Sequence, residues 1–328
     1  MFQSFFMSRR WVAWSLPGAA LILFVTWYKV ELDVKINEWF GEFYNLVQKA
    51  LATPGAVTLD QFMAQLKTFG GIAGLYVLIA VLDDFFIKHY VFRWRTAMND
   101  YYAAHWHLVR GIEGASQRVQ EDTMRFARLV EGLGVSFIRS VMTLIAFLPI
   151  LWVLSEKVTE LPWIGPVSHS LVWVSILFAI LGTVLLASVG IKLPGLEFEN
   201  QRVEAAFRKE LVLGEDDPSR ATAGMLVSLF QEVRHNYFRL FFHYMYFDVA
   251  RYSYLQFSVL VPYIALAPTI VGGVLTLGMM QQIVRAFGRV EHSFQYLVES
   301  WTTIVELISV YKRLRGFERQ VRAAVVSL

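Results

Sequence analysis

"YSYLQFSVLVPYIALAPTIVGGVLTLGMMQQIV" (Tyr252 to Val284) is a run of 33 residues without one Asp, Glu, Lys or Arg. A helix that crosses the hydrocarbon core of a bilayer needs about 20 mostly apolar residues. The run is too long for one untilted crossing, and Pro262, Pro268 and Gly272-Gly273 interrupt it in the middle. Proline and paired glycine are the strongest local helix breakers. The stretch therefore reads as the end of one membrane helix (about 226–263) and the start of another (about 269–320), the second amphipathic after Val284.

Outward from this stretch, four earlier spans follow the same reading. Trp11 to Tyr28 is apolar. A cleavable leader is the competing interpretation, but no small-x-small site follows it. Lys29, Glu31, Asp33 and Lys35 come next, in an amphipathic stretch reaching Val47, so one long helix is expected whose distal part leaves the lipid. "ATPGAVTLDQF" (Ala52 to Phe62) reads as a turn and a helix start, with Thr58 as N-cap. The second span covers Phe69 to Ile87 and continues as a polar, aromatic-rich helix to about His107. The third runs from Leu129 to Leu154. The fourth runs from Leu171 to Ile191, after Pro162 and Pro166, and a polar segment from Lys192 to Asn236 follows it. The expectation is an all-α integral membrane protein of about six long transmembrane helices, forming a single transmembrane domain over residues 1–328.

Composition agrees. Hydrophobic residues make up 56% and charged residues 17%, against roughly 45–50% and about 25% in soluble proteins. Mean hydropathy is +0.45. These values exclude a disordered chain, a basic nucleic-acid-binding domain and most soluble enzymes. The absence of cysteine excludes disulfides and thiol catalysis. Net charge is only +3, so the placement of charge says more than its sum. Arg93, Arg95, Arg110, Arg118, Arg125 and Arg128 cluster in the loop at about 93–128. Lys192, Arg202, Arg208, Lys209, Arg220 and Arg234 cluster in the loop at about 192–238, and Lys312, Arg313, Arg315, Arg319 and Arg322 near the C-terminus. The opposite turns carry little more than Lys157. Basic residues favour the cytoplasmic side, so both termini and both long loops are expected there.

No G-x-x-x-x-G-K-[ST] run is present to cradle a nucleotide phosphate, so the chain itself carries no ATP-binding motif of that kind. Either an ion gradient or a separate ATPase must supply the energy. The seven histidines show no H-x-x-x-H or H-E-x-x-H spacing, so no metal is expected. A nucleophile elbow is equally absent, and the chain is not expected to be an enzyme.

Carboxylates inside spans are costly and usually face a cavity or a partner. Glu31, Asp33, Asp83, Asp84, Glu131 and Asp248 lie in or beside spans. On one continuous helix Glu291, Glu299 and Glu306 fall within about 80° of arc, as in an acidic face lining an aqueous cavity. Carboxylates have reference pKa values near 4 that rise on burial or beside like charge. A set of them can bind either a proton or a cationic cargo, which couples the two. Competing with this, Glu121 and Asp122 have Arg118 and Arg125 beside them, Glu113 shares that mixed-charge loop, and Glu204 has Arg208 one turn on, so ordinary ion pairs are the alternative. Tyr101, Tyr102, Trp106 and the run Tyr237 to Phe247, with Tyr246 and then Asp248, exceed what a membrane-interface belt needs. They suit a wall for extended peptides, or helix packing in a dimer.

Four stretches carry a resemblance. They are "HYVFRWRTAMNDYYAAHWHLVRGIEGASQRVQEDTMRF" (His89 to Phe126), "VGIKLPGLEFENQRVEAAFRKELVLGEDD" (Val189 to Asp217), "YFRLFFHYMYFDVAR" (Tyr237 to Arg251) and "FQYLVESWTTIVELISVYKRLRGFE" (Phe294 to Glu318). From about Gly18 onward the chain resembles the SbmA/BacA family of bacterial peptide uptake transporters. The phrase from Gln117 to Asp122 also resembles the loop before the third membrane helix of peroxisome-type ABC half-transporters. The resemblance implies an ABC-exporter-like fold working as a homodimer without ATPase domains. It implies proton-driven import of peptides, including proline-rich antimicrobial peptides, peptide toxins and bleomycin-like glycopeptides, across the bacterial inner membrane. Protons would be the coupling ion, with no other cofactor. The partners would be a second copy, peptides and membrane lipids, with no nucleic acid. "EGLGVSF", "NQRVEAA" and "GEDD" match family motifs, which implies transport roles for Glu131, Glu204 and Glu215. Family members carry an extra hydrophobic N-terminal region, whereas "MFQSFFMSRR" leads here almost directly into the first span. Two rival readings stand beside this one. One is the membrane half of an ABC transporter, with residues 111–122 as its coupling surface to a separate ATPase. The other is a non-transporting protein acting on envelope lipids.

Overall fold

The computed structural model describes residues 1–112, 115–158, 160–217 and 219–326, so Glu113 lies outside the described residues. Among the described residues all regular structure is helical, apart from one isolated bridge between Leu161 and Gly165. A short α1 (Phe2–Phe6) precedes two long helices, α2 (Val12–Ala52) and α3 (Leu59–Ala104). Next come α4 (Trp106–Val109), α5 (Ala115–Gln117), a π-helical turn (Arg118–Asp122) and α6 (Thr123–Ser155). The remainder is α7 (Ser170–Gly190), α8 (Leu193–Asp216), α9 (Ala223–Val271), α10 (Leu277–Glu299) and α11 (Trp301–Val326).

Local chemistry sets the boundaries. Thr58 starts α3 with a complete capping box: its Oγ1 accepts from the Gln61 N–H at 3.2 Å, and Gln61 Oε1 accepts from the Thr58 N–H at 3.1 Å. Pro262 and Pro268 do not end α9, contrary to expectation. Membrane helices tolerate interior proline when neighbouring groups satisfy the freed carbonyls. The break comes instead at Gly272-Gly273, where Gly273 takes a left-handed φ of +69° that suits a residue without Cβ. The Gly272 N–H closes the end on the Pro268 carbonyl at 2.9 Å.

This moves most of the uncharged run into α9, which spans 223–271 rather than 226–263. The expected single helix over 269–320 is two helices, α10 and α11, separated at Ser300. The two segments expected as long polar loops are largely helical, because α3, α6, α8 and α9 extend through them. Five stretches are long and apolar enough to cross a membrane: Val12–Ala52, Leu59–Ala104, Ala115–Ser155, Ser170–Asp216 and Ala223–Val271. α10, which carries Arg285, Arg289 and Glu291, is not among them, so the expected sixth crossing is not legible by composition.

The chain divides into two compact units. The first comprises Met1–Ile176 and Pro262–Leu328. Here α2 packs antiparallel on α3, and aromatic and ionic contacts set the register. Tyr90 donates its hydroxyl to the Ser15 carbonyl at 2.8 Å, Lys29 pairs with Asp83, and the rings of Trp39 and Phe69 lie 4.6 Å apart. The start of α10 docks on the far part of α2. Its N-terminal amides, which have no partner within the helix, are satisfied across the interface: Leu277 N–H donates to Gln48 Oε1 (2.8 Å) and Gly278 N–H to Asn45 Oδ1 (3.0 Å). A Cβ on Gly278 would overlap the Gly41 carbonyl, so this close approach requires glycine. α10 also packs on α6, where the Tyr296 hydroxyl donates to the Leu133 carbonyl at 2.6 Å.

The second unit, Leu177–Val261, holds the latter part of α7, all of α8 and most of α9. Tyr254 stacks on Phe178 with ring centroids 4.8 Å apart and fills the space left by Gly182. Arg220 grips the Glu210 carboxylate with two hydrogen bonds (3.2 and 2.9 Å), and the Ala221 N–H adds a third at 3.2 Å. These bonds fix the turn between α8 and α9. Ser219 donates its N–H and hydroxyl to Asp217 at 2.9 and 2.7 Å, and this holds the Asp217 carboxyl below its ordinary pKa.

The α2–α10 approach predicts that Gly278→Val costs about 1–3 kcal/mol, the usual range for forcing atoms into a packed interface. The expected result is a lower thermal unfolding midpoint in detergent, with Gly288→Val, whose Cβ meets nothing within 4 Å, as the tolerated control.

Candidate functional site

Charge inside the first unit collects in three places. The first joins the π-helical turn and the start of α6 to α11. Asp122 is buried and receives three hydrogen bonds: from Arg118 Nη1 (3.0 Å), Arg313 Nε (3.1 Å) and Arg313 Nη2 (2.8 Å). The hydrogen bonds that Arg313 donates to Asp122 push its guanidinium pKa above the ordinary value. One turn on, Arg125 pairs with Glu306 of α11 and lies 4.0 Å from Glu121, which also accepts from Gln117 at 3.3 Å. Glu121 and Glu306, separate in sequence, therefore share one arginine. π-Helical turns recur at functional sites because they re-aim side chains. This one puts Asp122 inward while Glu121 stays exposed.

The second place surrounds Glu131, half-buried on α6. Asp84, Lys88 and Arg128 are the charged groups that act on it. Lys88 is held by Asp84 at 2.6 Å. The third place is not recognisable as a site from the sequence. α2 carries Lys29, buried against Asp83 of α3, and Asp33, which accepts from both Arg285 (2.9 Å) and Arg289 (2.7 Å) of α10. The guanidinium of Arg285 also lies over Phe40, 4.9 Å from the ring centroid. The residue types are plain in the sequence, but their amphipathic spacing suggests a part of α2 that has left the lipid. No spacing within one helix reveals its partner on another.

The three acids expected on one face of a continuous sixth helix have different settings. Glu291 is buried and accepts from Gln295 at 2.9 Å, Glu299 is exposed at the end of α10, and Glu306 is held by Arg125. The interruption at Ser300 and the packing of α10 against α2 and α6 divide them.

In the second unit Glu204 is half-buried on α8, and Glu215 is exposed at its end. Among the described residues Glu204 makes no ion pair with Arg208; the nearby pair is Arg202 with Glu199, at 2.8 Å. Asp248 lies in an open groove of about 620 Å³ on α9, lined also by Phe241, Tyr244, Met245 and Tyr252. Tyr246 is exposed but does not line that groove.

The aromatic residues on α3 and α4 divide as well. Tyr102 is fully buried, its ring edge-on to Phe317 at 5.4 Å and its hydroxyl donating to Glu318 at 3.1 Å. It is a core residue in this structure and presents no surface to a ligand, which corrects the expected binding role. Tyr101 is half-buried against His105, and Trp106 is exposed.

The family model for the SbmA/BacA-like family matches residues 8–322. Curated relatives include the inner membrane ABC transporter ATP-binding protein YddA of Escherichia coli. It is 26% identical over 314 residues, covering 88% of this chain and 54% of the relative. An uncharacterized ABC transporter ATP-binding protein of Synechocystis is 24% identical over 333 residues (95% and 47%), and one of Haemophilus influenzae is 22% identical over 317 (90% and 53%). The chain spans about half the length of the curated relatives it matches.

Replacing Asp122 by Ala leaves Arg118 and Arg313 facing each other without their anion. Both arginines are partly exposed, which reduces the loss below that of a fully buried pair. The expected cost is on the order of 2 kcal/mol, read as a lower unfolding midpoint. Faster amide hydrogen exchange across residues 115–126 is expected with it.

Proposed function

The chain belongs to the SbmA/BacA-like family, and on that premise we propose that it imports peptides across the bacterial inner membrane, driven by the proton gradient. Membership makes it a membrane transport protein. The import direction, the peptide cargo, the proton coupling and a homodimeric, ABC-exporter-like arrangement are the proposal. One observation carries it. Helices apolar enough to span a bilayer hold ionisable side chains between them, some locked in pairs and some not. Intramembrane charge is expensive and marks ion or substrate pathways. Glu131, half-buried among Asp84, Lys88 and Arg128, and Glu204, with no ion-pair partner among the described residues, are the two carboxylates best placed to exchange protons. The basic residues near 93–128, 192–238 and 312–322 favour a cytoplasmic location for both termini. Proton and cargo bias the transporter only through different affinities for its outward- and inward-open states.

The test is uptake of a fluorescent proline-rich peptide into proteoliposomes under an inward acid gradient without ATP. Wild type is expected to accumulate peptide only with the gradient, and Glu131→Gln and Glu204→Gln to lose at least tenfold in initial rate. Gradient-driven uptake that survives both substitutions would sink the residue assignment but keep the engine.

A second reading has enough support from the relatives to belong in the test. The matched relatives are named ATP-binding proteins and are about twice as long as the matched stretch. In that reading the chain is the membrane part of an ABC transporter and works with an ATPase. The exposed surface around Gln117 to Glu121 is then the coupling surface. Uptake that appears only with an added ATPase partner and ATP, and ignores the gradient, would select this reading.

A further inference from the structure

The register between α2 and α3 places a charged face of α2 at the level of the longest uncharged part of α3. Two contacts bracket this level. At one end Lys29 of α2 is paired with Asp83 of α3. At the other, Trp39 of α2 rests on Phe69, and its indole N–H donates to the Gln65 carbonyl at 2.8 Å. Residues 29–39 of α2 therefore run alongside residues 65–83 of α3. Residues 68–82 of α3 contain no charged side chain, and Leu75, Val77, Leu78, Val81 and Leu82 are exposed. In a membrane helix, a surface of that kind belongs against lipid.

Beside it, α2 presents Glu31, Lys35 and Glu38. On a helix these three fall within about 60° of arc. Lys35 and Glu38 are exposed, and Glu31 is half-buried. Among the described residues none of the three has an ion-pair partner, whereas Lys29 and Asp33, on the other side of α2, are taken up by α3 and α10. Charges at this depth avoid lipid and face protein or water. Within the first unit Lys35 and Glu38 of this face are left uncovered.

We propose that the Glu31–Lys35–Glu38 face of α2 is wetted and forms part of the wall of the aqueous path through the protein. The face carries both signs of charge. It offers acceptors to an amino terminus or a basic side chain, and a donor to a carboxylate, which are the charged groups of a peptide. The nature of the cargo rests on the function proposed above. The wetting of the face does not, because it follows from register and charge alone.

The protein contains no cysteine, so each introduced thiol is unique. Lys35→Cys and Glu38→Cys are to be compared with Gly71→Cys and Leu75→Cys, exposed at the same level of α3. Pro54→Cys, in the exposed turn between the two helices, is the positive control. The variants are reconstituted in liposomes opened to both faces and treated with a membrane-impermeant maleimide. Positions 35 and 38 are expected to react at least tenfold faster than 71 and 75. If 35 and 38 react as slowly as 71 and 75 while 54 reacts, the face is sealed and the proposal fails. A disulfide between copies at 35 or 38 would then identify a second copy as the seal. If 71 and 75 react as fast as 35 and 38, the whole level lies outside the bilayer and the proposal fails equally. The labelling needs neither cargo nor gradient, so its failure leaves the transport reading untouched, and a failed uptake assay leaves the labelling result standing.

Discussion

An ionised side chain between apolar helices must find its opposite charge or water, and the first unit is arranged around that constraint. α2 meets it twice within two turns. Lys29 reaches Asp83 on α3, and Asp33 reaches Arg285 and Arg289 on α10. The two contacts hold one helix between two neighbours at a defined height. An apolar seam alone permits sliding, because one methyl group replaces another at little cost; a charge pair does not. The polar cap that Asn45 and Gln48 place on the start of α10, and the glycine contact of Gly41 with Gly278, then follow from the same register.

The second consequence concerns the junction near Asp122. The π-helical turn breaks the ordinary helix spacing, so that Asp122 faces inward and Glu121 outward. Arg313 of α11 then binds Asp122 and Arg125 binds Glu306, which ties this region to α11, while Arg118 braces Asp122 from within the turn. Glu131 sits between two and three turns beyond Asp122 on α6, near enough for a change in its charge to bear on Asp84 and Lys88 of α3.

Local composition is enough for the Thr58 cap, the boundaries of the early helices and the apolar character of five long segments, and the structure agrees with each. The helix break in the uncharged run lies elsewhere than proline alone suggests. Proline in isolation predicts a break, but α9 accommodates both prolines and yields only at Gly273, where the backbone turns left-handed. Tyr102 shows the same limit. An aromatic beside other aromatics reads equally as wall or core, and only its complete burial against Phe317 decides.

By itself the sequence determined that the chain is helical, apolar enough to enter a membrane, provided with acids in or beside its apolar stretches and a member of a transport family, because each of these is written in composition, short-range spacing or extended similarity. Tertiary structure decided which acids are neutralised and which are not. Arg125 meets Glu306 across 181 positions of chain, and Lys29 meets Asp83 across 54. Such pairings depend on the register between helices. Register is set by the summed fit of whole surfaces, which no local pattern encodes.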